Sequence, residues 1–228
     1  MNWKTDTGFS LNDSDFAPRG GKAKANSRYI KPPRCPEIPE RLLKYRFAQD
    51  LARDIQPEKG MRVFVLLNGS FVAGDFVEAW MTEHGIVAKA LTISTLSMSE
   101  NNVDSLANLL RGGYAGELNL IVSDYFFSHE RRNLIPYIYQ ELDVANKFQL
   151  AVAGTHCKTV LIETVGGSKV VMHGSANLRS SSNLEHICIE ENPDLYDFIY
   201  ETQKSILEKY QTIQKGIRHE NLWQAVQK

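Results

Sequence analysis

Residues 156–177, HCKTVLIETVGGSKVVMHGSAN, constrain the fold more than any other stretch of this chain. Two apolar, β-branched runs flank Gly166-Gly167, a dipeptide suited to a tight primed turn, so the stretch reads as a β-hairpin. If the two glycines are the whole loop, Val165 faces Ser168 and paired positions sum to 333. Lys158 then faces Ser175, and His156 faces Asn177. Alternate residues of a strand share a face, and directly opposed residues of an antiparallel pair share it too. The spacing therefore predicts that His156, Lys158, Ser175 and Asn177 project from one face at one end of the hairpin. A nucleophile or base, a cation, a hydroxyl and an amide in one small area suit a phosphate group. Gly174 lets the backbone approach closely. In this register His173 opposes Val160 and reads as a packed core histidine, and Glu163 falls on the face opposite His156.

The remaining chain supplies a setting for that hairpin. Residues 1–36 are polar, without periodicity, and carry Arg19, Lys22, Lys24, Arg28, Lys31 and Arg34 with no acid between them. They read as an N-terminal arm, and residues 37–228 as one domain. Residues 39–55 have helical spacing of apolar positions. Strands are expected at 62–67, 86–93, 118–122, from 150, and at 184–189. Helices are expected at 71–83, at 102–110 with Ser99 as N-cap, at 130–142 with a kink or late start at Pro136, and at 194–213. A further short helix around Trp223 is expected to follow. Strands alternating with helices before the hairpin argue for parallel β-α-β units, to which the hairpin adds antiparallel strands. The fold class expected is α/β: an α/β/α sandwich with a mixed central sheet.

With a net charge of −1 the chain is not a globally basic nucleic-acid binder, and 43% hydrophobic residues suffice for a sizeable core. No apolar run approaches the ~20 residues that span a bilayer, so no stable membrane association is expected. No basic, then apolar, leader is visible at the start. Cys35, Cys157 and Cys188 are too few and too scattered for a disulfide framework or a zinc site, which fits a reducing, cytoplasmic setting. Cys157 is expected to pack in the core. No carboxylate or histidine set reads as a metal centre, so no metal and no cofactor are expected. His129, Arg131 and Arg132 follow a strand and are weaker candidates for substrate contact.

His156-x-Lys158 followed by Gly174-Ser175-x-Asn177 resembles the HxK…GSxN signature of the phospholipase D superfamily. Glu163 stands where the family has Asp, and the interval to Gly174 is longer by four residues, which keeps strand parity. The resemblance implies a phospholipase D-like fold and a phosphodiesterase working without metal. It implies that His156 is the nucleophile or general acid, that Lys158 and Asn177 bind phosphate, and that Glu185, near the start of the next strand, orients His156. Gly174 and Ser175 then border the substrate, and Arg179 is a candidate clamp for a further phosphate. The family uses two copies of the motif, and this chain has one, so a homodimer with the site near its two-fold axis is expected. The basic arm directs the substrate expectation to nucleic acid, DNA first, hence a nuclease. The alternatives are a phospholipase or phosphatidyltransferase, and an inactive module that binds nucleic acid or serves a structural role.

Overall fold

The computed structural model describes residues 41–68, 71–179 and 183–212. The arm of residues 1–36 and the segment around Trp223 lie outside them. Strands β1 (Arg41–Tyr45), β2 (Arg62–Leu67), β3 (Ala88–Thr95), β4 (Leu118–Ser123), β5 (Phe148–Ala153), β6 (Thr159–Thr164), β7 (Lys169–Gly174) and β8 (Glu185–Glu191) form one sheet of order β1-β2-β8-β7-β6-β3-β4-β5. β1 and β2 pair in parallel, as do β3, β4 and β5, while β6, β7 and β8 run antiparallel between those two blocks. The mixed sheet is as expected, and its cause is local. Chain segments joined by helices return in parallel, whereas the short 165–167 connection forces β6 and β7 to oppose each other.

One face of the sheet buries Val63, Val65, Ile93, Leu120, Val160, Met172 and Ile189 beneath α1 (Ala48–Asp54), α2 (Ala73–Glu83), α3 (Glu100–Arg111), α4 (Asp124–Glu130) and α5 (Leu134–Leu142). The other face is covered by α6 (Pro193–Tyr210). Its Ile206 and Leu207 pack on Ile121, Ala151 and Ala153, and its Tyr196 on Leu161 and Val171. Helices on both faces make the fold an α/β/α sandwich. Among the described residues no helix is long and apolar enough to cross a membrane.

Two assignments differ from expectation. The 39–55 helix is instead strand β1 followed by the shorter α1. Residues 41–45 find a parallel partner in β2, with Arg41 opposite Val63 and Tyr45 opposite Leu67, and tertiary pairing outweighs a helical spacing of apolar residues. The 130–142 helix starts late, as α5 at Leu134, and is preceded by the unexpected α4. Pro136 sits in the first turn of α5, where its missing N–H leaves no intrahelical bond unmade.

The hairpin register is the correction that matters for function. Thr164 N donates to Ser168 O (2.9 Å) and Gly167 N to Thr164 O (3.0 Å), and Gly167 adopts φ +86°. The loop is therefore three residues long, Val165 to Gly167, with glycine at the left-handed position. Paired positions sum to 332 rather than 333, as Thr159 opposite His173 and Val160 opposite Met172 show. His173 thus leaves the face it was expected to share with His156.

Candidate active site

The ladder between β6 and β7 runs from the Glu163–Lys169 pair to the Thr159–His173 pair. His156, Lys158, Ser175 and Asn177 all lie at or beyond the strand ends, so strand alternation does not decide where they point. They gather because the carboxyl ends of β3, β5 and β7 and the amino ends of β6 and β8 share one end of the sheet. Loops at the carboxyl ends of parallel strands are where α/β sheets build their sites. A cleft there is lined by Ser94, Thr95, Lys158, His173, Gly174 and Ala176, among others.

His156 is exposed on the loop leaving β5. Lys158 Nζ donates to His156 Nδ1 (3.0 Å) and to the His156 carbonyl (3.1 Å). A lysine ammonium only donates, so in this contact Nδ1 is the acceptor. Ser94 Oγ on β3 donates to the Cys157 carbonyl (3.2 Å) and ties this loop to the sheet. The Cys157 side chain is exposed, contrary to the core packing expected of it, because residue 157 lies in the loop and not in β6.

Beyond the end of β7, Asn177 Oδ1 accepts from Leu96 N (3.3 Å). Its carbonyl end is thereby spent on the β3 terminus, and the amide NH2 remains as the donor end. Leu178 is buried and anchors this strand exit: its N–H donates to Thr95 Oγ1 (3.4 Å) and its carbonyl accepts from Gly74 N (2.9 Å). Arg179, the next residue, is exposed.

Ser175 Oγ donates to a Glu185 carboxylate oxygen and accepts from His186 N (3.1 Å). Glu185 therefore orients Ser175, and the structure does not bring its carboxylate to His156, which among the described residues accepts from Lys158. The reason is register: Glu185 is the first residue of β8, opposite Leu67, and Ser175 sits beside it just past the last β7–β8 pair. Glu163 forms an ion pair with Lys89 (3.1 Å) at the far end of the hairpin, a structural position as its parity implied. His129 lies against exposed Tyr125 in α4, the rings tilted by 33° with centroids 3.9 Å apart. Tyr125 follows β4 at the same sheet end, and nothing in its sequence context singled it out.

Gly174 has a specific steric reason. A Cβ there would fall on the backbone carbonyl oxygen of His186 in β8. Gly174→Ala is expected to push β7 from β8 beside Ser175 and lower stability by about 2 kcal/mol, within the range for overpacking. Chemical unfolding of the variant checks this; wild-type stability would mean that the strands part without cost.

Sequence reasoning missed the polar cluster on the opposite sheet face. Glu190, half-way between β2 and β7, accepts from Arg62 Nη2 (2.9 Å), Asn192 Nδ2 (3.0 Å) and His173 Nε2 (3.0 Å). Burial pushes its carboxyl upward, but the hydrogen bonds from His173, Asn192 and Arg62 outweigh this and hold it at about 2.

No protein-family model and no curated protein matches the chain. Solved structures to which it is similar include Nuc, a phospholipase D family member from Salmonella typhimurium, at 14% identity over 54% of this chain and 81% of that one, with a TM-score of 0.44. Phosphatidylserine synthase from Haemophilus influenzae Rd KW20 is similar at 15% identity over 73% of this chain and 43% of that one, with a TM-score of 0.46. Polyphosphate kinase from Porphyromonas gingivalis is similar at 12% identity over 64% of this chain and 26% of that one, with a TM-score of 0.47.

Proposed function

We propose that the chain is a phospholipase D-like phosphodiesterase, a nuclease that hydrolyses DNA through a covalent phosphohistidine on His156 at a homodimeric site. The observation that carries this reading is the Lys158–His156 pair, set at the sheet end that also holds Ser175 and Asn177. The pair explains how the nucleophile is kept and released. The Lys158 ammonium covers the Nδ1 lone pair in the resting arrangement. A phosphodiester oxygen carries charge and is the stronger acceptor, so substrate draws the ammonium away and uncovers the ring nitrogen. The Asn177 amide N–H groups are the further donors for phosphate oxygens.

The chemistry balances as two displacements. The uncovered imidazole nitrogen forms a P–N bond, and the P–O bond to the leaving alcohol breaks as that oxygen takes a proton. One chain has a single such histidine motif, so the acid is His156 of a second copy across the two-fold axis. Water then attacks phosphorus, the P–N bond breaks, and the second histidine takes the proton from water. Lysines from both copies offset the charge on the equatorial oxygens.

Purified protein is expected to cleave plasmid DNA and a chromogenic phosphodiester in EDTA. Turnover of the small diester alone would keep the chemistry and move the substrate from DNA toward lipid or another diester. Turnover of neither, with DNA retained in a mobility-shift assay, would leave a binding module without the activity.

A further inference from the structure

We propose that His173, Cys188 and Glu190 form a binding site for a thiophilic divalent cation, with Zn2+ as the fitting ion. His173 on β7 stands directly opposite Cys188 on β8, and Glu190 follows two residues along β8. Opposed and alternate residues share a face, so all three project from the same side of the sheet. Their ligand atoms lie within 4.8 Å of one another, with His173 Nε2 3.0 Å and Cys188 Sγ 4.0 Å from the same Glu190 oxygen, Oε1. Ligand atoms around a tetrahedral zinc ion stand about 3.3–3.7 Å apart, given bonds of about 2.0–2.3 Å. Shifts of well under a side-chain rotamer bring the set to that spacing.

The division of labour within Glu190 is what separates this cluster from an ordinary ion pair. Its Oε2 takes both the Arg62 guanidinium (2.9 Å) and the Asn192 amide (3.0 Å). Asn192 in turn caps α6 through Leu195 N (3.1 Å). One carboxylate oxygen is thus locked by outer partners, as in protein metal sites, and the other is aimed at the imidazole and the thiol. Glu190 is 4% exposed and His173 38% exposed, so the set is rigid on one side and open to solvent on the other. That leaves a fourth position for water.

On binding, the Cys188 thiol releases its proton to solvent and its sulfur bonds the ion. His173 Nε2 exchanges its hydrogen bond to Glu190 for the metal while the ring proton moves to Nδ1. Thiolate, carboxylate and Arg62 sum to −1, which favours a divalent cation. His173 and Cys188 face each other across β7 and β8, so the ion clasps these two strands beside the cleft that Lys158 and His173 both line. Sequence spacing hides the set because its ligands come from two strands.

The test is titration of the full-length protein, stripped with EDTA and then freed of it, with Co2+ as the optical probe. The expected result is one Co2+ per chain with a near-ultraviolet thiolate-to-cobalt band, displaced by equimolar Zn2+. The band is lost in Cys188→Ser and kept in Cys157→Ser. His173→Asn, at a half-exposed position that tolerates change, is expected to weaken Co2+ at least tenfold. Absence of the band in wild type, its survival in Cys188→Ser with native circular dichroism, or unchanged affinity in His173→Asn would each overturn the proposal and leave an ion-pair network alone.

Discussion

His156→Ala is expected to lower phosphodiester turnover by about 10^4-fold or more, the scale seen when an enzyme loses its nucleophile. The same variant is expected to keep wild-type unfolding behaviour and to bind DNA within a few-fold of wild type. The geometry makes this separation clean. His156 is exposed, so its truncation opens no cavity. Lys158 loses one acceptor, Nδ1, but keeps the backbone carbonyl of residue 156 at 3.1 Å, which the alanine still provides. The cation therefore stays where it is, and the loop stays tied through Ser94 to the Cys157 carbonyl. A purely structural histidine would give the opposite pattern, with lowered stability and proportionate loss of activity. Measuring kcat on the chromogenic diester beside urea unfolding decides between them, and turnover within tenfold of wild type would remove His156 from the chemistry.

The fold class was legible because its signals are local: apolar runs such as RVFVLL and LNLIV, a capped helix after Ser99, and a glycine-centred hairpin. The strand ends that carry His156, Lys158, Ser175 and Asn177 do lie at one end of the sheet, but for a reason other than the one the spacing offered. A loop of three residues instead of two moves the pairing by one, which by strict alternation would have separated the lysine from the serine and asparagine. The residues sit beyond the ladder, where loop contacts such as Leu96 N to Asn177 Oδ1 set direction. Such contacts join positions far apart in sequence, and no periodicity announces them. The partner of Glu185 and the placement of residues 41–45 were hidden for the same reason: each depends on which strand lies alongside.

Glu190→Gln is expected to cost about 3 kcal/mol, because it removes the nearly buried carboxylate charge on which Arg62, His173 and Asn192 converge. For a domain of this size that corresponds to a fall in melting temperature of roughly 6–12 °C. The acid limb of the stability curve should change with it, and its sign follows from linkage. The Glu190 carboxyl lies at about 2 in the fold against an ordinary 4.5. The folded state therefore favours the ionised form. The contribution is fully present above the ordinary value and is lost as pH falls through about 4.5 toward 2. Wild type should thus lose stability steeply across that window, while Glu190→Gln, already lacking the carboxylate, should start lower and fall less. His173 gives the complementary control: His173→Asn removes one of the three hydrogen-bonding partners but leaves Arg62 and Asn192 on Oε2, so its acid limb should lie between the two. Parallel curves for wild type and Glu190→Gln between pH 4.5 and 2, measured by urea unfolding, would show that the carboxylate is not held by its neighbours in solution as the geometry requires.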